Sequence, residues 1–437
     1  MFQPRMAAAA LLALGLAACS DQPSAPSGEA RPEPLALQQR QDEVVPGEIL
    51  VKMKDGISLT ELTGRTPGLR LERRLAERSR IAVLGVARGQ ERAEAARLSA
   101  DPRVEYAEPN YIRRINAINP ALWAFYNPGG LQAQFNTSPY GYLPSGYTSI
   151  TDADQDNIEG IAVGGAQVVI GSLDTGADTD HPEIAANLIL GWDWANGDAL
   201  PEDDNGHGTH TIGTMVGATV GVAGVTGAGT NVKVYVQKVC TATGSCPTAN
   251  IVNAIYAAAD YPGMVAMNLS LSGPSISTAE VNAINYAVNT KGVLVIASAG
   301  NGNTSTVGCP ACNVNSISVS ATNWRDARAY YSQYGSGLDI SAPGGELYSN
   351  TTNVMGIYSA YLAGGYAYLQ GTSMAAPQVT GAAGVVASVT GLTGASLRAR
   401  LQNTADDKGA LGYDVVFGNG RLNVYRAITN STLAYPL

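Results

Sequence analysis

The chain has few charged side chains, few histidines and few cysteines. Of its 437 residues, 14% are charged, three are His and five are Cys, whereas 50 are Gly. So low a charge content excludes a disordered or coiled-coil chain, and the 45% of apolar residues can fill a large core. The net charge of −9 argues against nucleic acid as a partner, because nucleic-acid-binding domains present basic surfaces. The composition is typical of an exported globular protein.

Long apolar runs are also scarce. One run, Met6–Ala18, is followed directly by Cys19, and no later stretch is long and apolar enough to span a membrane. This pattern predicts a signal peptide over residues 1–19. Its ending resembles a bacterial lipoprotein signal, in which Cys19 would be lipidated, and an ordinary signal peptide cut nearby is the alternative. Residues 20–43, rich in Pro, Ser, Gln and charge, predict a flexible tether.

The other four cysteines form two close pairs. Cys240 and Cys246 flank the loop CTATGSC, and Cys309 and Cys312 form CPAC. Because export permits disulfides, we predict that each pair is bonded locally. A zinc site is the alternative, but the spacing lacks a finger pattern. A redox-active CxxC would need a thioredoxin-like context, which is missing here.

The chain changes character along its length. Residues 31–115 carry 16 Lys and Arg against 13 Asp and Glu, a charge of +3, whereas residues 116–437 carry 10 against 21, a charge of −11. In residues 44–115, GEILVKM and RIAVLGV predict strands, QERAEAARLSA a helix and RVEYAEPNYI a last strand, which together make a small α+β domain. A basic unit and an acidic body indicate two parts that dock; two unrelated surfaces are the alternative.

Strand and helix patterns alternate over residues 151–430. AQVVIGSLDTG, NVKVYVQKV, GMVAMNLSLSG, GVLVIASAGN and NSISVSAT are apolar runs of strand length, and Thr248–Ala259 and Thr278–Thr290 have helical patterns. Such alternation predicts an α/β fold, a mainly parallel sheet flanked by helices. Residues 116–150, rich in Asn, Pro, Gly and Tyr, predict a linker and an N-terminal surface arm.

Reactive side chains occur where predicted strands end or helices begin. Asp174 follows the strand VVIGSL, Asn301 follows VLVIASAG, His207 lies between two glycines in DDNGHGTH, and Ser373 lies in LQGTSMAAPQVTG. Each has a structural alternative: Asp174 and Asn301 as turn residues and Ser373 as a helix cap. A serine nucleophile needs a base, and the base needs a carboxylate to hold its tautomer. Because carboxyl ends of parallel strands meet at one edge, we expect these residues to lie together.

The motifs DTGADTDHPEI, NGHGTHTIGT, NLSLSG, ASAGN and GTSMAAP together resemble the subtilisin-like serine proteases, over roughly residues 151–430. Residues 44–115 resemble the inhibitory propeptide of that family. The resemblance implies that Ser373 attacks the peptide carbonyl, that His207 takes its proton and that Asp174 holds His207. Asn301 and the Ser373 N–H would form the oxyanion hole.

The resemblance also implies where a substrate binds. The stretch Ser270-Leu271-Ser272-Gly273 would pair with it as an edge strand, and the loop around Gly244 would flank its other side. The primary specificity pocket would be lined by small residues, namely Ala297, Ser298, Ala299, Gly300 and Gly308. Small uncharged walls predict a pocket for large apolar or aromatic side chains.

Metal sites receive weaker support. Glu183 matches a calcium ligand of some relatives, but the partner loop MVGATVGVAGV has no side-chain oxygen apart from Thr219. Thr151–Gly160, TDADQDNIEG, lacks the glycine and the distal acid of an EF-hand loop, so a helix start is favoured there. We expect no metal or cofactor in the chemistry, and structural calcium stays open. His181 and His210 are expected to be structural.

Taken together, the sequence predicts an exported serine endopeptidase made as a self-processing zymogen. Its partners would be protein or peptide substrates and its own propeptide, with a membrane contact only through a lipid on Cys19, and the enzyme would be monomeric. It would reside in a bacterial cell envelope or be secreted after processing. The alternative, a catalytically silent surface binding protein on the same scaffold, conflicts with the intact set Asp174, His207, Asn301 and Ser373.

Overall fold

The computed structural model describes residues 44–63, 69–75, 80–115, 165–219, 222–223, 231–323, 326–347 and 356–431. The predicted signal peptide with Cys19, the tether, the arm at 116–150 and Thr151–Gly160 lie outside the described residues. Within the described part, no single helix is long and apolar enough to cross a membrane, and the two helices Thr372–Thr390 and Gly394–Asn403 would pass that test only as a pair bent by 113°.

The first domain is a small antiparallel sheet covered by two helices. Its elements are β1 (Val44–Met53), α1 (Leu59–Thr63), β2 (Arg70–Arg74), β3 (Ile81–Gly85), α2 (Glu91–Ser99) and β4 (Val104–Ile115). The strands lie in the order β4-β1-β3-β2, and each neighbouring pair is antiparallel. Leu62, Leu84 and Leu98 are among the side chains that fill its own core. The α+β prediction for this segment is confirmed.

The second domain is built on a seven-stranded parallel sheet in the order β15-β14-β13-β11-β5-β9-β6. The seven strands are β5 (Val168–Asp174), β6 (Leu188–Asp193), β9 (Val232–Lys238), β11 (Met264–Leu269), β13 (Leu294–Ser298), β14 (Ser316–Thr322) and β15 (Ile340–Pro343). Five of them, β5, β11, β13, β14 and β15, are buried along their whole length, as expected of parallel strands covered on both faces.

Six helices cover the two faces of this sheet. They are α3 (His207–Val216), α4 (Thr248–Asp260), α5 (Thr278–Asn285), which continues as a π-helical turn to Thr290, α6 (Thr372–Thr390), α7 (Gly394–Asn403) and α8 (Val424–Thr429). One face packs on α3, α6, α7 and α8, around Ile170, and the other packs on α4 and α5, around Val169. Successive β5 residues thus point into opposite cores. The predicted fold class is confirmed.

Short strands complete the molecule, and several of these elements were not predicted. They are β7 (Ala218–Thr219) paired with β8 (Val222–Ala223), β10 (Ser245–Pro247), β12 (Leu271–Ser272), and the hairpin of β16 (Ile357–Tyr361) and β17 (Gly365–Leu369). Strand β2 was also missed, because its five residues RLERR are all exposed and show no apolar alternation. Pairing with β3 at the sheet edge forms this strand despite its polar sequence.

Candidate active site

Asp174 and His207 meet where a strand ends and a helix begins. Asp174 is the last residue of β5 and His207 is the first residue of α3. His207 Nδ1 lies 2.7 Å from Asp174 Oδ1, and both side chains are buried. Asp174 also accepts hydrogen bonds from Thr175 N at 2.7 Å and from Thr211 Oγ1 at 3.3 Å. Since the carboxylate only accepts, the Nδ1 nitrogen of His207 carries a proton.

The glycines on both sides of His207 are required by its surroundings. Gly206 has φ +98°, and a Cβ there would collide with the ring of Tyr361. A Cβ on Gly208 would collide with the carbonyl oxygen of Gly176, in the turn that follows Asp174. Helix α3 can therefore approach the end of β5 closely only because these positions lack side chains.

Asp203 holds the first turn of α3 in place, and sequence reasoning missed it. Its Oδ2 accepts hydrogen bonds from Thr209 N at 2.8 Å and Thr209 Oγ1 at 2.6 Å. Its Oδ1 accepts from Gly206 N at 2.9 Å and from Thr175 Oγ1 at 2.8 Å. This buried carboxylate thus links the start of α3 to the residue after Asp174. An Asp just before the capping glycine of a predicted helix was the available signal.

Ser373 is the second residue of α6, directly after a backbone turn that only glycine adopts readily. Gly371, the N-cap, has φ +151°. Ser373 Oγ donates a hydrogen bond to Ser270 O at 3.2 Å, and Ser270 Oγ donates to Ser373 O at 2.8 Å. His207 Nε2 is buried and hydrogen-bonds to none of the described residues. The serine hydroxyl therefore points to the end of β11 in this state.

Asn301 is fixed by Thr372, the neighbour of Ser373. The Asn301 Oδ1 atom accepts hydrogen bonds from Thr372 N and from Thr372 Oγ1, both at 3.0 Å. Thr372 Oγ1 in turn accepts from Gly300 N at 3.1 Å. Because Oδ1 accepts from the start of α6, the amide nitrogen is the donor end of the Asn301 side chain. Thr372 was not singled out in the sequence.

Strand β4 of the first domain runs through the cleft between β10 and β12. Its residues Ile112, Arg113 and Arg114 pair antiparallel with Pro247, Cys246 and Ser245. Arg114 and Ile115 pair with Ser272 and Leu271 on the other side. The described part of β4 ends at Ile115, opposite the residue that follows Ser270. The end of the first domain thus occupies the groove as an added central strand.

The groove differs in detail from the expected substrate-binding set. Leu271 and Ser272 pair with β4, whereas Gly273 pairs with Cys309. On the other side the pairing begins at Ser245, one residue beyond the predicted Gly244, which has φ +73° and forms the turn before β10. Gly244 is therefore a turn residue, and Ser245 to Pro247 form the pairing strand.

The expected pocket residues lie together beside Asn301. Ala297 and Ser298 end β13, and Ala299 and Gly300 lead from it to Asn301. Gly308 N donates a hydrogen bond to Ala299 O at 2.8 Å. The disulfides Cys240–Cys246 and Cys309–Cys312 are both present, as the sequence indicated. They border the groove on opposite sides, one before β10 and one after Gly308.

The other two histidines are held by backbone oxygens. His210 Nε2 donates to Ile357 O at 3.0 Å and to Ala367 O at 3.2 Å, in the β16–β17 hairpin. Burial lowers the pKa of His210 to about 3, so the ring is uncharged at neutral pH. His181 Nε2 lies 2.8 Å from Gly365 O. Both rings tie the hairpin to the segment that carries Asp174 and His207.

Glu183, the residue that matches a calcium ligand of some relatives, contacts a tyrosine here. Its Oε1 accepts a hydrogen bond from Tyr366 at 2.9 Å, and burial, followed by this contact, raises the pKa of Tyr366 to about 12. Among the described residues, no three His, Cys, Asp or Glu side chains are grouped closely enough to hold a metal. The hydroxyl of Tyr366 thus uses an oxygen that a cation at Glu183 would need.

The first domain also caps two helices of the second. Glu108 accepts hydrogen bonds from Thr278 N at 2.9 Å and Ala279 N at 3.0 Å, at the start of α5. Asn110 Oδ1 accepts from Ala249 N at 3.1 Å, at the start of α4. Since the first N–H groups of a helix have no partner within it, these contacts satisfy donors that would otherwise face solvent.

A buried carboxylate that orients an imidazole, with a serine at the start of a neighbouring helix, is the arrangement used by serine proteases. The chain belongs to the subtilase family, whose model matches residues 165–420, and the model of the fervidolysin N-terminal prodomain matches residues 31–110. The resemblance found in the sequence is confirmed. The protein is therefore a subtilisin-like serine protease with a prodomain.

Curated relatives agree with this assignment. Thermitase of Thermoactinomyces vulgaris is 36% identical over 264 residues, 60% of this chain and 88% of that protein. A thermophilic serine proteinase of Bacillus sp. strain AK1 is 34% identical over 391 residues, 88% of each chain. Subtilisin Savinase of Lederbergia lenta is 37% identical over 264 residues, 60% of this chain and 91% of that protein. The second match spans the prodomain as well.

Proposed function

We propose that the protein is a serine endopeptidase in which Ser373, His207 and Asp174 form the catalytic triad. Ser373 Oγ attacks the peptide carbonyl while His207 Nε2 takes its proton, and the protonated ring then gives the proton to the leaving amine. Asp174, hydrogen-bonded to Nδ1, stabilises the imidazolium that forms. The 2.7 Å contact between His207 and Asp174 is the observation that carries this proposal.

The step requires Ser373 Oγ to turn away from Ser270 O. In the described state the Ser270 carbonyl oxygen accepts a hydrogen bond from Ser373 Oγ at 3.2 Å. The base, His207 Nε2, has no hydrogen-bond partner among the described residues. Catalytic hydrogen bonds are often loose before the substrate is bound productively. Asn301 and the Ser373 N–H, at the positive end of α6, would then stabilise the oxyanion. The chemistry needs no cofactor.

We propose further that the chain is a zymogen whose prodomain blocks the groove. Strand β4 occupies both pairing edges that an extended substrate would use. Because residues 112–115 already lie in the groove, the processing bond should follow Ile115 closely, within the range from Tyr111 to about Tyr147 that the sequence allows. N-terminal sequencing of the processed enzyme tests this; a mature chain that starts before Ile112 would contradict it.

The activity is tested with a fluorophosphonate probe, which reacts only with activated serines, on protein lacking residues 1–20. A labelled band smaller than the full chain, absent in Ser373→Ala, is expected. If neither protein is labelled, even after mild trypsin treatment to remove the prodomain, the site is inactive. The alternative of a silent binding protein would then be favoured.

The pocket beside Asn301 supports broad cleavage after large apolar residues. Ala297, Ala299 and Gly300 offer small, uncharged walls, and a pocket that demanded Lys or Arg would need a buried acid. We therefore propose that peptide substrates with Phe or Leu at the cleaved position are hydrolysed faster than those with Lys or Asp. Equal rates for all four would contradict the proposal.

Export and anchoring rest on the sequence before residue 44. We propose that the chain is exported and that Cys19 is lipidated, because the apolar run ends directly at this cysteine. Metabolic labelling with a fatty acid, compared between the native chain and Cys19→Ala, tests the anchor. We expect label in the native chain alone. If neither chain is labelled, the signal is an ordinary signal peptide and Cys19 is not lipidated.

A further inference from the structure

The wall of the cleft next to Asn301 is a turn closed by a disulfide. Gly273, the residue after β12, is bonded to Cys309 in both directions, with Gly273 N to Cys309 O at 2.8 Å and Cys309 N to Gly273 O at 2.9 Å. Gly308 N donates to Ala299 O. The turn therefore joins the strand that pairs with the substrate to the segment that carries Asn301.

The turn is pressed closely against both of these segments. A Cβ added to Gly308 would lie 3.0 Å from Ala299 O and 3.2 Å from the Cβ of Ser272. A side chain at this position would force its neighbours to shift by a few tenths of an ångström, so the turn lies close to both segments and its position sets the wall of the cleft. That wall borders the space beside the attacked carbonyl, because Asn301 follows Ala299 and Gly300 directly.

Little regular structure holds the turn. Residues 299–315, all described, contain no helix and no strand beyond the single bridge between Cys309 and Gly273. Two further hydrogen bonds close the turn, Cys312 N to Gly308 O at 2.9 Å and Asn313 N to Pro310 O at 3.1 Å. The Cys309–Cys312 bond is the covalent restraint on this wall.

We propose, on the basis of the function above, that the Cys309–Cys312 disulfide is a specificity-determining element. It fixes the turn against Gly273 and Ala299 and so sets the size of the pocket for the side chain at the cleaved position. Opening it lets the wall move away, which admits larger side chains with less discrimination. The residues that act are Gly308 and Cys309, and the disulfide positions them.

The two disulfides differ in ways that make one a control for the other. Cys240 and Cys246 are both fully buried, and Cys246 lies within β10, which pairs with β4 on the opposite side from β12. Cys312 is exposed and borders a surface depression of about 220 Å³, whereas Cys309 is 6% exposed. An external dithiol should therefore attack Cys312 Sγ first, release the Cys309 thiol and close to its own disulfide, a transfer of two electrons and two protons.

The test compares kcat/KM for peptides that differ only in Phe or Ala at the cleaved position, each normalised to the serines labelled by the fluorophosphonate. In the double variant Cys309→Ser/Cys312→Ser, we expect the ratio of kcat/KM for the Phe peptide to kcat/KM for the Ala peptide to change by about tenfold. In Cys240→Ser with Cys246→Ser, the ratio should stay as in the native enzyme, even where total activity falls. A variant that is only less stable lowers kcat/KM equally for both peptides and leaves the ratio unchanged.

A second arm covers a variant that fails to mature. Native mature enzyme is treated with dithiothreitol, and alkylation followed by mass spectrometry reports which cysteines are free. We expect the ratio to shift once Cys309 and Cys312 are alkylated and Cys240 and Cys246 are not. A ratio within twofold of the native value in either arm would overturn the proposal. A native enzyme without serine label would instead mean that the proposed protease function has failed.

Discussion

Thr372 positions Asn301, the proposed oxyanion donor, through a single hydroxyl. Its Oγ1 contacts Asn301 Oδ1 at 3.0 Å and Gly300 N at 3.1 Å, so one atom joins the start of α6 to the end of β13. Neither Thr372 Oγ1 nor Asn301 Oδ1 would itself contact the substrate, so their hydrogen bond acts only on the orientation of the Asn301 side chain. The hydroxyl matters because an amide side chain that rotates loses the direction of its donor.

Thr372→Val should lower kcat while leaving KM close to native. The change removes both hydrogen bonds of this buried hydroxyl, and the weaker hold on Asn301 corresponds to about 1 kcal/mol or about fivefold in rate. Steady-state kinetics with the processed enzyme measures it. Thr372→Ser keeps the hydroxyl and should recover most of kcat, and a valine variant with native kcat would show that Asn301 needs no such support.

His210 makes stability depend on pH. Burial lowers its pKa to about 3 in the folded state, whereas an unfolded histidine titrates near about 6.5. Between these values the unfolded chain binds a proton that the folded chain does not. The free energy of unfolding should therefore fall as the pH falls through this window, by up to about 1.4 kcal/mol per pH unit from this residue.

His210→Gln should flatten that dependence, because the glutamine amide can donate to the hairpin carbonyls but does not titrate. Denaturant unfolding in a Ser373→Ala background, which avoids self-digestion, measures the slope between about pH 4 and 6. His181→Gln serves as the comparison at a second buried ring. Identical slopes for native and His210→Gln chains would show that other groups set the acid sensitivity.

At the scale of elements, sequence reasoning succeeded where burial dictates the pattern. The strands β5, β11, β13 and β14 are buried along their whole length because both faces are covered, and each was predicted, whereas the equally buried but four-residue β15 was not. The hairpin of β16 and β17 was missed, since its tyrosines and glycines form no clear alternation. The residues Asp203 and Thr372 were missed for another reason: they hold the segments around His207 and Asn301 through contacts that form only in the folded chain, and a sequence does not show such contacts.

Glu108 links the two domains through the start of α5. Its carboxylate accepts two backbone N–H groups there, and the helix end favours negative charge. Glu108→Gln should therefore weaken prodomain docking by about 1 kcal/mol and speed its release about fivefold. The measurement is the lag before activity appears in the full chain after self-cleavage.

Glu105→Gln is the matched control for this change. Glu105 lies on the same strand, is 41% exposed and pairs with Lys52 inside the first domain. Removing the charge of Glu105 should leave the lag unchanged, because an exposed ion pair contributes little to stability. A lag that shortens equally in both variants would assign the effect to prodomain stability and not to the capping of α5.

At the scale of the whole molecule, one chain supplies both the groove and the strand that fills it. Strand β4 is covalently continuous with the first domain and pairs with β10 and β12 of the same chain. The end of β4 is therefore held in the groove of its own chain at a local concentration that does not depend on other molecules. Processing at this position should be a unimolecular reaction.

Processing should accordingly show a first-order rate constant that is the same at every protein concentration. Purified unprocessed chain, started by a change of conditions and sampled on a gel across a wide dilution series, gives that constant. A Ser373→Ala chain mixed with native chain should stay full-length during the first half-life of the native protein. Its β4 is held in its own inactive groove and is therefore not available to the native enzyme. If the half-life shortens in proportion to concentration, or the Ser373→Ala chain is cut as fast as the native one, the cut occurs between molecules. The strand in the groove would then act as an inhibitor and not as the first substrate.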